Sequence, residues 1–256
     1  MKLVVKIGGA LLAESTRDQL LTEVLSLRGS GHAVTLIHGG GKELTALLER
    51  LGIPSLFRDG LRVTDAATRD AALMVYAGLV NKSVVAAVAR LGGRALGLAG
   101  DAGCVGVRQR DPQLGFVGDV TFVDGDFLNS LCREGILPVL ASLGLGPDGQ
   151  YYNINADALA GATAAAWGAA RLIFLTDVAG VLDAGGEILR RLHQNDVREL
   201  IRQGTVSGGM RPKLEACLAA LSQGVADVRI AGGHAPGVLK RMILDNQQEG
   251  TQLYAA

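Results

Sequence analysis

Short apolar runs alternate with longer helix-patterned stretches along most of this chain, and glycines stand at the joints. Residues 3–7 read as a strand, Gly8-Gly9 turns the chain, and a helix is expected over roughly 15–29. Residues 33–37 repeat the pattern with a near-continuous apolar strand, as in buried parallel sheets. His38-Gly39-Gly40-Gly41 follows, then a helix over 42–51 that Gly52-Ile53-Pro54 ends. Further strands are expected at 95–98, 105–108, 120–123, 136–140, 171–176 and 226–231. Helices are expected at 66–91, 124–134, 156–167, 196–203, 210–223 and 235–244. Strand, glycine turn and helix in repetition is the βαβ pattern. The expected fold is therefore α/β, an open and mainly parallel sheet between helix layers, or αβα sandwich. No linker or internal repeat divides the chain, yet its duty is expected to change near residue 170. That gives two lobes, 1–168 and 169–256, on one continuous sheet.

Composition narrows the function classes. Glycine supplies 36 of 256 residues, roughly twice the usual share of about 7%, and it gathers where backbone must turn tightly or approach a ligand. With 25 Lys+Arg against 25 Asp+Glu the chain is neutral, which gives no reason to expect a polyanion-binding surface. Aromatic residues are only 4%, which disfavours base stacking, so no nucleic-acid partner is expected. Cys104, Cys132 and Cys217 lie far apart and form no metal-ligand or disulfide pattern. No leader-like apolar stretch opens the sequence and no run of about 18 uncharged apolar residues occurs. A soluble cytoplasmic protein without membrane attachment is the expectation.

The common phosphate and hydrolase patterns fail. Lys42 is followed by Glu43, so there is no P-loop motif, and no GxSxG or HExxH is present. Gly144-Leu145-Gly146-Pro147-Asp148-Gly149 fits GxGxxG, but Pro-Asp-Gly is a turn signal and no helix opens after it. Two other loops fit an anion site better. Lys6-Ile7-Gly8-Gly9 and His38-Gly39-Gly40-Gly41 both stand at the carboxyl end of a strand before a helix, where open α/β sheets bind ligands. Lys6 sits in an apolar strand end, which suits a lysine facing a ligand or one snorkelling to water. Arg62 suits either a carboxylate clamp or a solvated loop. Asn153-Ile154-Asn155-Ala156-Asp157 opens an Ala-rich helix and reads as a cap or as a polar site. Lys213 lies near a helix start, where the macrodipole disfavours a cation unless it faces phosphate. His38 is expected to be a packed structural residue.

Together these segments resemble the amino acid kinase family, and within it the members that phosphorylate N-acetyl-L-glutamate. The resemblance runs nearly the full length. It rests on Lys6-Ile7-Gly8-Gly9, His38-Gly39-Gly40-Gly41, Gly60-Leu61-Arg62-Val63-Thr64, Val80-Asn81-Lys82, Asn153-Ile154-Asn155-Ala156-Asp157, Leu175-Thr176-Asp177-Val178 and Gly209-Met210-Arg211-Pro212-Lys213. It implies transfer of phosphoryl from ATP to the acceptor's side-chain carboxylate, giving an acyl phosphate in arginine biosynthesis. By position, Lys6 and Lys213 would stabilise the moving phosphoryl group and Asp157 would hold both lysines. Gly40, Gly41, Arg62 and Asn153 would bind the acceptor. Gly8, Gly9, Thr176, Asp177, Val178 and Met210 would serve phosphate and nucleotide, with Mg²⁺ arriving on ATP and no protein-held metal. The 1–168 lobe would bind the acceptor and dimerise, and the 169–256 lobe would bind ATP.

Two departures stand out: residues 97–103 lack the lysine many relatives carry there, and Arg211 stands where an apolar residue is usual. The resemblance leaves two other readings, a kinase for carrier-protein-bound α-aminoadipate or glutamate and a non-catalytic binding or storage protein. Leu73, Met74, Val75, Tyr76, Leu79, Val80, Val84 and Val85 are too many apolar positions for one helical stripe. A homodimer is therefore expected. Arginine-inhibited hexameric relatives carry an extra N-terminal helix, so insensitivity to arginine is also expected.

Overall fold

A computed structural model describes residues 1–206 and 209–255. Gly208, which precedes the run ending at Lys213, lies outside the described residues, as does Ala256. In chain order the first elements are β1 (Lys2–Ile7), α1 (Glu14–Gly29), β2 (Ala33–His38) and α2 (Gly41–Leu51). A hairpin of β3 (Phe57–Arg58) and β4 (Leu61–Arg62) follows, then α3 (Ala66–Leu73), a π-helical turn (Met74–Val80) and α4 (Asn81–Arg90). Next come β5 (Ala95–Leu98), β6 (Val105–Gln109), β7 (Gly118–Val123), α5 (Gly125–Arg133), β8 (Leu137–Ala141), β9 (Leu143–Leu145) and β10 (Tyr151–Asn153). The chain continues through α6 (Ala156–Trp167), β11 (Arg171–Thr176), β12 (Arg191–His193) and α7 (Gln194–Arg202). It finishes with α8 (Met210–Ser222), β13 (Asp227–Gly232), α9 (Val238–Ile243) and β14 (Thr251–Tyr254).

The main sheet has eight strands in the order β12-β14-β13-β11-β1-β2-β8-β5. It is parallel except where β14 runs against β13. Strand β1 lies near the middle. The strands that precede residue 169 extend to one side of it through β2, and the later ones to the other side through β11. Alternation along each strand sends side chains to two helix layers. Leu3, Val5 and Ile7 pack with α1, α4 and α9, whereas Val4 packs with α6 and α8. A third cluster joins Leu44 and Leu48 of α2 to Ala72, Val75, Tyr76 and Val80.

Several expectations change. The strands expected at 105–108 and 120–123 exist, but they leave the main sheet and pair antiparallel in a second sheet ordered β10-β9-β6-β7. Gly146 to Gly149 form the turn between β9 and β10, as Pro-Asp-Gly suggested, while Gly144 and Leu145 belong to β9. Strands β3, β4, β9, β10, β12 and β14 are new. Each has only two to four residues, which leaves a period-two pattern little room to register. The last helix starts later than expected because Gly237, with φ of +77°, sits in the left-handed region before it. The run Ala66–Arg90 is 25 residues long and apolar enough by length and composition to cross a membrane, which the count of uncharged residues did not register. Half of its most apolar stretch is buried inside the fold, as in a core helix.

Candidate functional site

The alternation of β1 turns Lys6, with Val4, toward α6 and α8. Asp157 is the second residue of α6 and Lys213 the fourth of α8. The three meet: Lys6 Nζ lies 2.8 Å from Asp157 Oδ1, and Lys213 Nζ donates to Asp157 Oδ2 at 2.9 Å. All are buried, with 8%, 8% and 6% exposure for Lys6, Asp157 and Lys213. Burial works to raise the Asp157 carboxyl, but the two ammonium groups outweigh it and hold the group below the usual carboxylate range. Burial lowers Lys6, and Lys213 adds to that, against the pull of Asp157. One carboxylate between two cations leaves a positive charge over, in surroundings where charge is costly unless answered. Lys213 Nζ also stands 5.3 Å from the centroid of Phe174.

The glycine loops flank this group. Gly8 differs from its expected part: its N–H donates to the Leu175 carbonyl at 2.9 Å and so is not free for phosphate. What Gly8 supplies is close approach, since a Cβ there would lie 3.0 Å from that carbonyl oxygen. A Cβ on Gly9 would meet nothing within 4 Å among the described residues. Gly40 precedes α2, and no side chain among the described residues caps that helix, so its first N–H groups remain available to an anion. A Cβ on Gly40 would fall 2.8 Å from Tyr76 Cδ1 and 3.2 Å from Val80 Cγ2. The loop can lie against the Tyr76 ring only because it lacks one.

Gly40, Gly41, Arg62 and Asn153, four residues from distant parts of the chain, line one cleft of about 220 Å³. Phe57, Tyr76, Ser142 and Asn155 also stand in its wall. Arg62 is 8% exposed and donates to Ser55 Oγ at 2.7 Å, Thr45 Oγ1 at 2.8 Å and the Gly41 carbonyl at 3.3 Å. Its guanidinium also lies over Phe57, 4.6 Å from the ring centroid. All its bonded partners among the described residues are neutral oxygens, so a buried guanidinium faces the cleft without a carboxylate. Asn153 Nδ2 donates to Thr64 Oγ1 at 3.2 Å. Asn155 caps α6 through the N–H groups of Asp157 and Ala158. The start of α6 therefore joins the cleft, at Asn155 and Ala156, to the lysine pair at Asp157.

Thr176 ends β11 beside Gly8, whose missing Cβ would lie 3.6 Å from the Thr176 Cα. Its hydroxyl donates to Asp177 Oδ1 at 3.0 Å. Asp177 and Val178 are exposed beyond the strand, and Met210 is half-buried at the start of α8. Among the described residues no hydrogen bond ties Val178 or the Met210 side chain to the lysines. His38 is packed as expected, and burial lowers it to about 4, against a smaller opposing effect of its bond to Gly39. Arg211 is exposed and pairs with Glu215 one turn on. Sequence reasoning missed Thr45, Ser55, Phe57 and Ser142 as parts of the site, and Tyr76 as its wall. Only folding brings them there, and their residue types carry no signal of it.

The profile of the amino acid kinase family matches residues 1–232. An acetylglutamate kinase of Solibacter usitatus is 47% identical, with all of both chains covered. One from Koribacter versatilis is 47% identical, covering 100% of this chain and 99% of that protein. The crystal structure of smu.665 from Streptococcus mutans UA159 superposes with a TM-score of 0.87 at 30% identity, covering 100% of this chain and 99% of that one.

Proposed function

This chain belongs to the amino acid kinase family, and on that premise we propose that it transfers a phosphoryl group from ATP to the side-chain carboxylate of N-acetyl-L-glutamate, in arginine biosynthesis. Full-length likeness to acetylglutamate kinases supports this reading. The observation that carries it is the group of two buried lysines on one carboxylate, at the edge of a cleft that holds an arginine without an acidic partner.

The chemistry needs little more. The acceptor carboxylate is ionised at neutral pH, with an ordinary pKa of about 4.3, so no base must activate it. Transfer then depends on positioning and on stabilising charge as it spreads over the phosphoryl oxygens. Lys6 and Lys213 supply cations from the two sides of Asp157, and Gly9 and Gly40 supply N–H groups. Arg62 and Asn153 hold the acceptor's α-carboxylate and amide region, with Gly40 and Gly41 beneath. Gly8, Thr176, Asp177, Val178 and Met210 form the nucleotide side. The described residues include no group of three or more His, Cys, Asp or Glu suited to a metal. Mg²⁺ enters in this proposal on the phosphates of ATP, as part of the substrate.

The acceptor and dimer functions fall to the 1–168 lobe and nucleotide binding to the 169–256 lobe. The protein works as a cytoplasmic homodimer and uses neither nucleic acid nor membrane. An ATP-dependent hydroxylamine-trapping assay tests the acceptor directly, because hydroxylamine captures acyl phosphates. N-acetylglutamate is expected to give the strongest trapping among N-acetylglutamate, glutamate and aspartate. Equal trapping with unacetylated glutamate would sink the assignment.

A further inference from the structure

Asn81 begins α4 and is 1% exposed, yet the chemistry above gives it no part. Its Nδ2 donates to the Val139 carbonyl at 2.9 Å and lies 3.0 Å from His38 Nε2. A carbonyl only accepts, so the atom facing Val139 must be the nitrogen, and His38 Nε2 must accept from it. The ring proton then sits on Nδ1, which faces the Gly39 carbonyl at 2.7 Å. Asn81 Oδ1, by contrast, is buried without a hydrogen-bond partner among the described residues. A merely space-filling side chain would not leave a polar atom in that position. Room for that oxygen comes from Gly97, where a Cβ would fall 1.7 Å from it.

Resting on the acceptor-site reading above, we infer that Asn81 is a positioning residue for the Gly39–Gly41 loop and acts through His38. The carbonyl of Gly39 and the N–H of Gly40 share one rigid, trans peptide plane. Fixing the oxygen toward His38 Nδ1 turns the N–H of Gly40 the opposite way, away from the ring. The π-helical turn makes this reach possible. In an unbroken α-helix, Tyr76 and Asn81 would stand about 140° apart. The wider turn at Met74–Val80 brings residues five apart toward one side. Tyr76 and Val80 then press on Gly40 while the next residue, Asn81, meets His38. The loop is gripped at Gly39 by a hydrogen bond and at Gly40 by packing.

Asn81→Leu removes the donor and the orphaned oxygen together, and Asn81→Ser is the milder variant should the first fold poorly. Either is expected to lower kcat by roughly tenfold to a hundredfold, the scale of a slightly misplaced reacting group, with the KM for ATP little changed. His38→Asn keeps a donor near the Nδ1 position and is expected to retain most of the turnover. In that background the Asn81 substitution is expected to add nothing. Two readouts need no turnover. ¹⁵N NMR of the wild type is expected to show His38 protonated at Nδ1 alone, and the Gly40 amide resonance is expected to move in Asn81→Leu. An unmoved Gly40 resonance, an Nε2 proton on His38, or additive losses in the double variant would overturn the inference. A wild type that phosphorylates no acceptor would count against the proposed function, and the two NMR readouts would still decide this hydrogen-bond chain.

Discussion

At position 157 one carboxylate faces two ammonium groups, so removing either lysine deletes the surplus positive charge that a phosphoryl group in transit would meet. Lys6→Ala and Lys213→Ala are each expected to lower kcat on the order of 10²–10³-fold while the KM for ATP shifts little. Steady-state kinetics on both substrates check this, and a variant with normal kcat and only a raised KM rejects the role. His38 supports a second prediction. It is neutral in the fold down to about pH 4, whereas in the unfolded chain it takes up a proton near pH 6.5. Between those values the unfolded state binds more protons. Stability from this group is therefore whole above about pH 6.5 and is lost as pH falls toward 4, up to about 3 kcal/mol. Denaturant melts from pH 7 to 4 should show that slope in the wild type and a shallower one in His38→Asn. Lys6 and Lys213 were legible in the sequence because a charge in an apolar strand end or a cation at a helix start is locally out of place. Asp157, an ordinary acid in the first turn of a helix, was marked only by the family resemblance. Thr45 and Ser55, which hold Arg62, break no local rule and stayed invisible.

Length decided which elements could be read. The six-residue strands β1, β2 and β11 and the helices α1, α6 and α8 carry enough periodicity to be expected from the sequence. The β3–β4 hairpin carries none, yet it brings Phe57 and Arg62 to the cleft. The π-helical turn was equally hidden, since its apolar spacing passes for an α-helix. Its consequence appears at Gly40, where an added methyl would collide with Tyr76 and Val80 on that turn. Gly40→Ala should destabilise the fold by about 1–3 kcal/mol, as overpacking commonly does. It should also raise the KM for the acceptor more than that for ATP. Thermal melts and kinetics check the two halves, and an unchanged Tm shows that the loop yields without strain.

Across the whole molecule, the helical run over 66–90 divides its apolar residues between two destinations. Val75, Tyr76, Val80 and Val84 are buried within the chain, while Met74 and Leu79 stand 65% and 63% exposed. Two exposed apolar side chains on one helical run suit a two-fold contact between copies. Light scattering is expected to give twice the 26.5 kDa of the chain, and Met74→Lys with Leu79→Lys to halve it. A wild-type mass of one chain rejects the dimer. The place of β1 in the sheet also sets a clock. Leu3 meets its partner Val34 early in synthesis, but its other neighbour, Arg171, emerges far later. At about 5–20 residues per second, one flank of this apolar strand waits on the order of ten seconds for its partner during translation. An unpaired strand edge is open to mispairing over that interval. Lys213 arrives later still, so the lysine pair cannot form until after the second flank of β1 has its partner.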